Sequence, residues 1–102
     1  MAQIVIGTTP TIIYKFSIVD PQDFIAAKLT IKNKNSILFK KELTDATIGE
    51  DSISWTLTQE ETLQLAGKTC AMMLNWKTED GTRGASEEVL VTGVNNHIRE
   101  VI

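Results

Sequence analysis

Few residues in this chain belong to the types that do chemistry, and their spacing suits chemistry poorly. It has one histidine, His97, and one cysteine, Cys70. A Cys/His zinc site needs three or four ligands at short spacings, so this pair offers none, and a lone cysteine forms no intrachain disulfide. A nucleophile needs a base beside it. His97 lies in the polar end of the chain, whereas Cys70 sits in an apolar alternating run, where a small buried hydrophobe is expected. No G-x-S-x-G elbow occurs. Gly81-Thr82-Arg83-Gly84 superficially resembles a phosphate loop, but it follows a turn signal instead of opening a helix. Of the acidic pairs, Glu50-Asp51 and Glu79-Asp80 fall in turns, Glu60-Glu61 in a helix cap and Glu87-Glu88 in an edge-like stretch. Solvated carboxylates are the expectation in each case. The chain is therefore expected to be no enzyme and to hold neither cofactor nor metal.

Charge and composition narrow the classes further. The 102 residues suit one domain, 1–102, long enough to bury a core without metal or disulfide. Acids outnumber bases 13 to 10, for a net charge of −3. A protein that tracks nucleic-acid phosphates needs the opposite balance, so nucleic acid is not an expected partner. No segment approaches the roughly 20 apolar residues that span a bilayer, and the start MAQIVIGTTP lacks a signal peptide's basic and apolar regions. The expectation is a soluble protein with no membrane partner, made in the cytoplasm and leaving the cell, if it does, by a route other than a cleaved signal. Trp55 and Trp76 are the remaining candidates. An exposed indole is a platform for stacking sugars, whereas one in register with Leu or Ile fills a core. Both share a face with aliphatic neighbours, which favours the core. The surface-aromatic reading, a carbohydrate- or host-surface-binding module, is the alternative.

The elements that would position these residues are mostly strands. Period-two alternation runs through Thr11–Ile18, with Ile12, Tyr14, Phe16 and Ile18 on one face. It runs through Ile25–Asn33, with Ile25, Ala27, Leu29 and Ile31 on one face. The Asn-rich stretch Lys32–Ser36 and a strand over Ile37–Glu42 complete a hairpin. Lysines 28, 32, 34, 40 and 41 on that hairpin would discourage edge pairing. After a strand over Ser52–Leu57, Thr58-Gln59-Glu60-Glu61 matches a capping box and Gly67 a stop, predicting a helix of one or two turns. Lys68–Lys77 alternates Cys70, Met72, Leu74 and Trp76 against Ala71, Met73 and Asn75. Asp80-Gly81 is a hairpin turn, and a returning strand from about Arg83 to Val94 has a bulge or close approach near Gly84 and Ala85. Six to seven strands and one short helix predict an all-β, immunoglobulin-like or related Greek-key β-sandwich.

Three stretches, GTTPTIIYKF, SISWTLTQEETLQLAGK and NWKTEDGTRGASEEVLVTGV, carry a resemblance. In their order and motifs they resemble small structural proteins of phages and prophages of Gram-positive bacteria, and the N-terminal β-sandwich domain of baseplate upper proteins in particular. The likeness covers nearly the whole chain, and its motifs are turns and caps. It implies a non-enzymatic tail or baseplate component, assembled in the host cytoplasm and then part of the virion. Its partners would be other phage structural proteins or further copies of itself. The apolar triplet Ile4, Val5 and Ile6 and the terminal Val101 and Ile102 are then candidate contact residues, unless the triplet forms an edge strand.

Overall fold

A computed structural model describes residues 2–94. It contains nine strands, one α-helix and two 3-10 turns. The strands are β1 (Ala2–Val5), β2 (Thr11–Lys15), β3 (Phe24–Asn33), β4 (Ser36–Glu42), β5 (Thr47–Ile48), β6 (Ser52–Thr56), β7 (Thr69–Thr78), β8 (Arg83–Ala85) and β9 (Val89–Val94); the helix is α1 (Gln59–Leu63). They form a larger sheet in the order β1-β9-β7-β3-β4, with β8 also on β7, and a smaller sheet β2-β6-β5. The two sheets pack as a β-sandwich-like, all-β fold. The short helix α1 leads from β6 of the smaller sheet into β7 of the larger.

The core follows from alternation. Cys70, Met72 and Leu74 of β7, Ala27, Leu29 and Ile31 of β3 and Ile53 and Trp55 of β6 are buried, and they meet between the sheets. In two places a bulge shifts the pattern expected from the sequence. Phe24 pairs with Thr78 and Ala26 with Lys77, so Ile25 is an extra residue in β3. Phe24 therefore takes the core position, and Ile25 is 52% exposed instead of sharing the face of Ala27. A second irregularity between Ile31 and Lys32 turns Ile37 outward opposite Lys32.

Two strand ends also differ from expectation. β2 stops at Lys15, and Ile18 is 96% exposed. Pro21 restricts Asp20 to extended backbone, and the Asp20 carboxylate caps the following 3-10 turn at Gln22 N, 2.9 Å away. The chain is thus committed to a corner soon after Phe16. The returning strand divides into β8 and β9 because its register on β7 slips by one residue between Ala85 and Val89. Ser86 bridges the slip: its amide donates to Leu74 O and its hydroxyl accepts from Leu74 N. The interruption thus lies just beyond Gly84 and Ala85. With the two-residue β5, this division accounts for nine strands in place of six to seven.

The local signals for turns and caps are met. Thr58 Oγ1 accepts from Glu61 N at 3.1 Å, and the Glu61 carboxylate accepts from Thr58 N at 2.8 Å. Gly67 and Gly81 stand at φ of 67° and 88°, in the left-handed region glycine reaches at little cost. The β3–β4 turn places Lys34, not an asparagine, at φ 55°.

Candidate contact surfaces

The candidate residues do not gather into one site. Ile4 and Ile6 belong to the core, at 7% and 0% exposure, so they are not a free contact arm; only Val5, at 44%, faces outward. Ile4 and Val5 enter the fold in the edge strand β1, which runs parallel to β9 with Ile4 opposite Gly93, and Ile6 lies just past its end. Val101, Ile102 and His97 lie outside the described residues.

The two indoles differ in burial. Trp55 is 1% exposed, and its Nε1 donates to Glu42 O at 2.9 Å, which corrects the surface-aromatic reading for that residue. Trp76 is half-buried. It stacks on Phe24 at 5.7 Å between ring centroids, meets Phe16 edge-on at 5.2 Å, and lies so close to Gly84 that a Cβ there would fall 2.4 Å from the ring. Gly84 is thus the close-approach point its place in the strand suggests.

The polar corner beside α1 is tightly joined. Thr62 is fully buried, and its hydroxyl accepts from Gly7 N at 2.9 Å while facing the carbonyls of Thr8 and Gln59. That one oxygen ties the β1–β2 connection to the helix. Thr62→Val keeps the shape and leaves Gly7 N and Thr8 O without this partner. It is expected to lower the unfolding free energy by about 1–3 kcal/mol in urea titration, and a change below about 0.5 kcal/mol would refute the assignment. Lys41 adds a second tie, because its Nζ reaches Glu61 Oε1 at 3.0 Å with both side chains largely buried. Lys41 therefore does not serve as a solvated edge lysine.

Acids gather at the opposite end. Asp20, Asp23, Glu79 and Asp80 line a hollow of about 370 Å³ with Ile18, Val19, Thr78 and Thr82. Their oxygens are partly engaged already: Asp20 caps Gln22, and Asp80 accepts from Thr78 Oγ1 and Thr82 N. Among the described residues no group of three or more metal-ligating side chains is placed to hold an ion. The Thr78 hydroxyl first, then Thr82, hold the Asp80 carboxyl down to about 2, below the ordinary aspartate value. The folded chain thus keeps this group ionised where the unfolded chain protonates it, near pH 4. Its contribution is complete above about pH 4 and is lost as the pH falls toward about 2. The stability gap between the parent and Asp80→Ala, followed by urea midpoint, should be constant from pH 7 to about 4 and close below that. A gap that persists unchanged to pH 2 would contradict it.

The remaining titratable groups on the core side are not poised for reaction. Burial raises the Cys70 thiol, with Lys68 opposing weakly, so the sulfur stays protonated. Burial likewise raises Tyr14, whose hydroxyl lies beside Ser86 but forms no well-aligned hydrogen bond.

The outward face of the larger sheet is the most distinctive surface. Residues directly opposite one another share a face, so the pairings align Lys28 with Asn75 and Glu42, Lys40 with Thr30 and Met73, Lys32 with Ala71 and Ile37, and Lys77 with Arg83. These strand positions hold five cations, Lys28, Lys32, Lys40, Lys77 and Arg83, and one acid, Glu42, on a chain whose net charge is −3. Glu42 approaches Lys28 at 3.9 Å, an exposed pair of little energetic weight. Beside the cations, Ile37, Ala71, Met73 and Leu90 form a less polar half. The lysines of β3 read as its polar side from alternation alone, but only the pairing brings Lys40, Lys77 and Arg83 onto the same face.

Among the described residues no helix is long and apolar enough to cross a membrane. Comparison of the chain with protein families, with characterised proteins and with solved structures finds no match.

Proposed function

We propose that this protein is a non-enzymatic structural component of a phage or prophage tail or baseplate that works through protein–protein contacts. The observation that carries the reading is the outward face of the larger sheet. It concentrates Lys28, Lys32, Lys40, Lys77 and Arg83 beside Ile37, Ala71, Met73 and Leu90 on a molecule that is acidic as a whole. Such a face suits an acidic protein surface, because paired potentials steer encounter while the apolar half supplies desolvation. It carries no aromatic side chain at these strand positions on which bases could stack, which favours protein over single-stranded nucleic acid. The phage setting rests on the resemblance of the GTTPTIIYKF, TQEETLQL and TEDGTRG stretches.

Particles released by the encoding phage or prophage are expected to contain the chain at fixed stoichiometry by quantitative mass spectrometry. The combined variant Lys32→Glu, Lys40→Glu and Lys77→Glu should keep its circular dichroism spectrum and drop out of the particles. A chain missing from purified particles, or one whose incorporation ignores the charge reversal, defeats the reading. The carbohydrate-binding alternative loses its main support, because Trp55 is buried and Trp76 is engaged by Phe16, Phe24 and Gly84.

A further inference from the structure

The smaller sheet has an unfilled edge. Phe16 N donates to Asp51 O at 2.8 Å and Leu57 N donates to Pro10 O at 2.9 Å, so the even-numbered residues of this stretch turn their backbone groups toward β6. Strand geometry turns the amides and carbonyls of Thr11, Ile13 and Lys15 the other way. Among the described residues no strand lies on that side. In an immunoglobulin-like sandwich the first strand covers this edge, whereas here β1 pairs with β9 in the opposite sheet.

Side-chain exposure shows the same shortfall. Thr11 and Lys15 are exposed, and Ile13 is 58% exposed. Ile12 and Tyr14 face the core but are only half-buried. Val89 stands opposite the buried Met72, on the inner side of the larger sheet, yet is 37% exposed. Tyr14 lies beside Ser86, just before Val89, so the uncovered part of β9 adjoins the free edge of β2. The smaller sheet ends one strand short of covering the larger.

We propose that this edge takes β2 of a second copy of the chain, antiparallel and about a twofold axis at Ile13. The outward backbone groups at Thr11, Ile13 and Lys15 are symmetric about Ile13. Each residue therefore exchanges both hydrogen bonds with its opposite: Ile13 with Ile13 of the second copy, and Thr11 with Lys15 of the second copy. No like charges stand directly opposite, and Ile12 meets Tyr14 of the second copy to continue the inner apolar layer. A slip of one residue would turn that layer to solvent, so the register is specified. The free edge of β4 is less suited, because the exposed Lys40 would be brought against a second such strand. An interface of this length falls in the small class, under about 1,200 Å², so the dimer is expected to be weak and concentration-dependent. The proposal adds a first partner to the contact-module reading, and its test leaves the charged face intact, so the two fail separately.

Sedimentation equilibrium of the full chain from about 10 µM to 1 mM, where weak association is populated, should show a monomer–dimer equilibrium. Ile13→Asp places two carboxylates at the axis and should weaken it by at least about tenfold, with an unchanged circular dichroism spectrum and melting temperature. Hydrogen exchange adds an independent readout: amides of Thr11, Ile13 and Lys15 should gain protection as concentration rises, while those of Ile12 and Tyr14 are protected throughout. The variant Lys32→Glu/Lys77→Glu should dimerise as the parent does. A strict monomer at 1 mM, or a dimer indifferent to Ile13→Asp, overturns the proposal. Protection of Thr11, Ile13 and Lys15 in the dilute monomer, lost on removal of residues 95–102, would overturn it in favour of the chain's own end as occupant.

Discussion

Trp55→Ala is expected to remove about 3–5 kcal/mol of unfolding free energy, a large share of the total for a domain of this size. The indole is 1% exposed and stands among the residues that join the two sheets, so alanine opens a cavity the packed surroundings fill only in part. It also removes the Nε1 donor that reaches Glu42 O at 2.9 Å, tying the smaller sheet to the end of β4. Trp55→Phe separates the two effects, since it retains much of the ring and strands the carbonyl, for about 1–3 kcal/mol. Urea unfolding followed by circular dichroism measures both, and the remaining Trp76 gives an independent fluorescence signal. A loss under about 1 kcal/mol for Trp55→Ala would mean that the ring does not fill the space between the sheets.

Gly93→Ala is the second large effect, although it adds only one methyl group. The new Cβ would lie 2.1 Å from Leu65 O and 2.6 Å from Leu65 C, and both are backbone atoms that no side-chain rotation can move. Gly93 also bridges Ala66 and donates from its amide to Lys68 O at 3.1 Å, so the segment after α1 is held directly against β9. The clash has to be relieved by separating the two backbones, at an expected cost of about 3 kcal/mol and a melting temperature lower by 10 °C or more for a domain of roughly this length. Gly67→Ala is the matched control. Nothing lies within 4 Å of its Cβ, but φ is 67°, so the cost is the left-handed conformation alone, about 1–2 kcal/mol. If Gly93→Ala proves no worse than Gly67→Ala, the close contact between Leu65 and β9 is absent in solution.

Gly93 also marks a limit of reading the chain by pattern. Its neighbours alternate like any strand, and nothing in Val91-Thr92-Gly93-Val94 announces that a carbonyl 28 positions earlier occupies the space of its missing side chain. The capping box at Thr58 and Glu61 is legible because both partners lie within one turn and their hydrogen bonds are local. The same holds for Gly67, for Asp80-Gly81, and for the core face of β7, where Cys70, Met72 and Leu74 alternate strictly with less buried neighbours. Ile25 and Ile18 could not be placed this way. The bulge opposite Lys77 and the corner at Asp20-Pro21 move them off the face that their spacing assigns.

The contact surfaces divide along the same line. The shortage of chemistry-bearing residues, the all-β class and the short capped helix follow from residue types and short-range hydrogen bonding, which act before any strand has found its partner. Three features depend on which strand lies beside which: the burial of Ile4 and Ile6, the gathering of Lys28, Lys32, Lys40, Lys77 and Arg83 on one face, and the open edge at Thr11, Ile13 and Lys15. Alternation tells a strand which of its residues share a side, but not which neighbour its backbone groups will meet. Only the tertiary structure, by sending β1 to pair with β9 and not with β2, decided that.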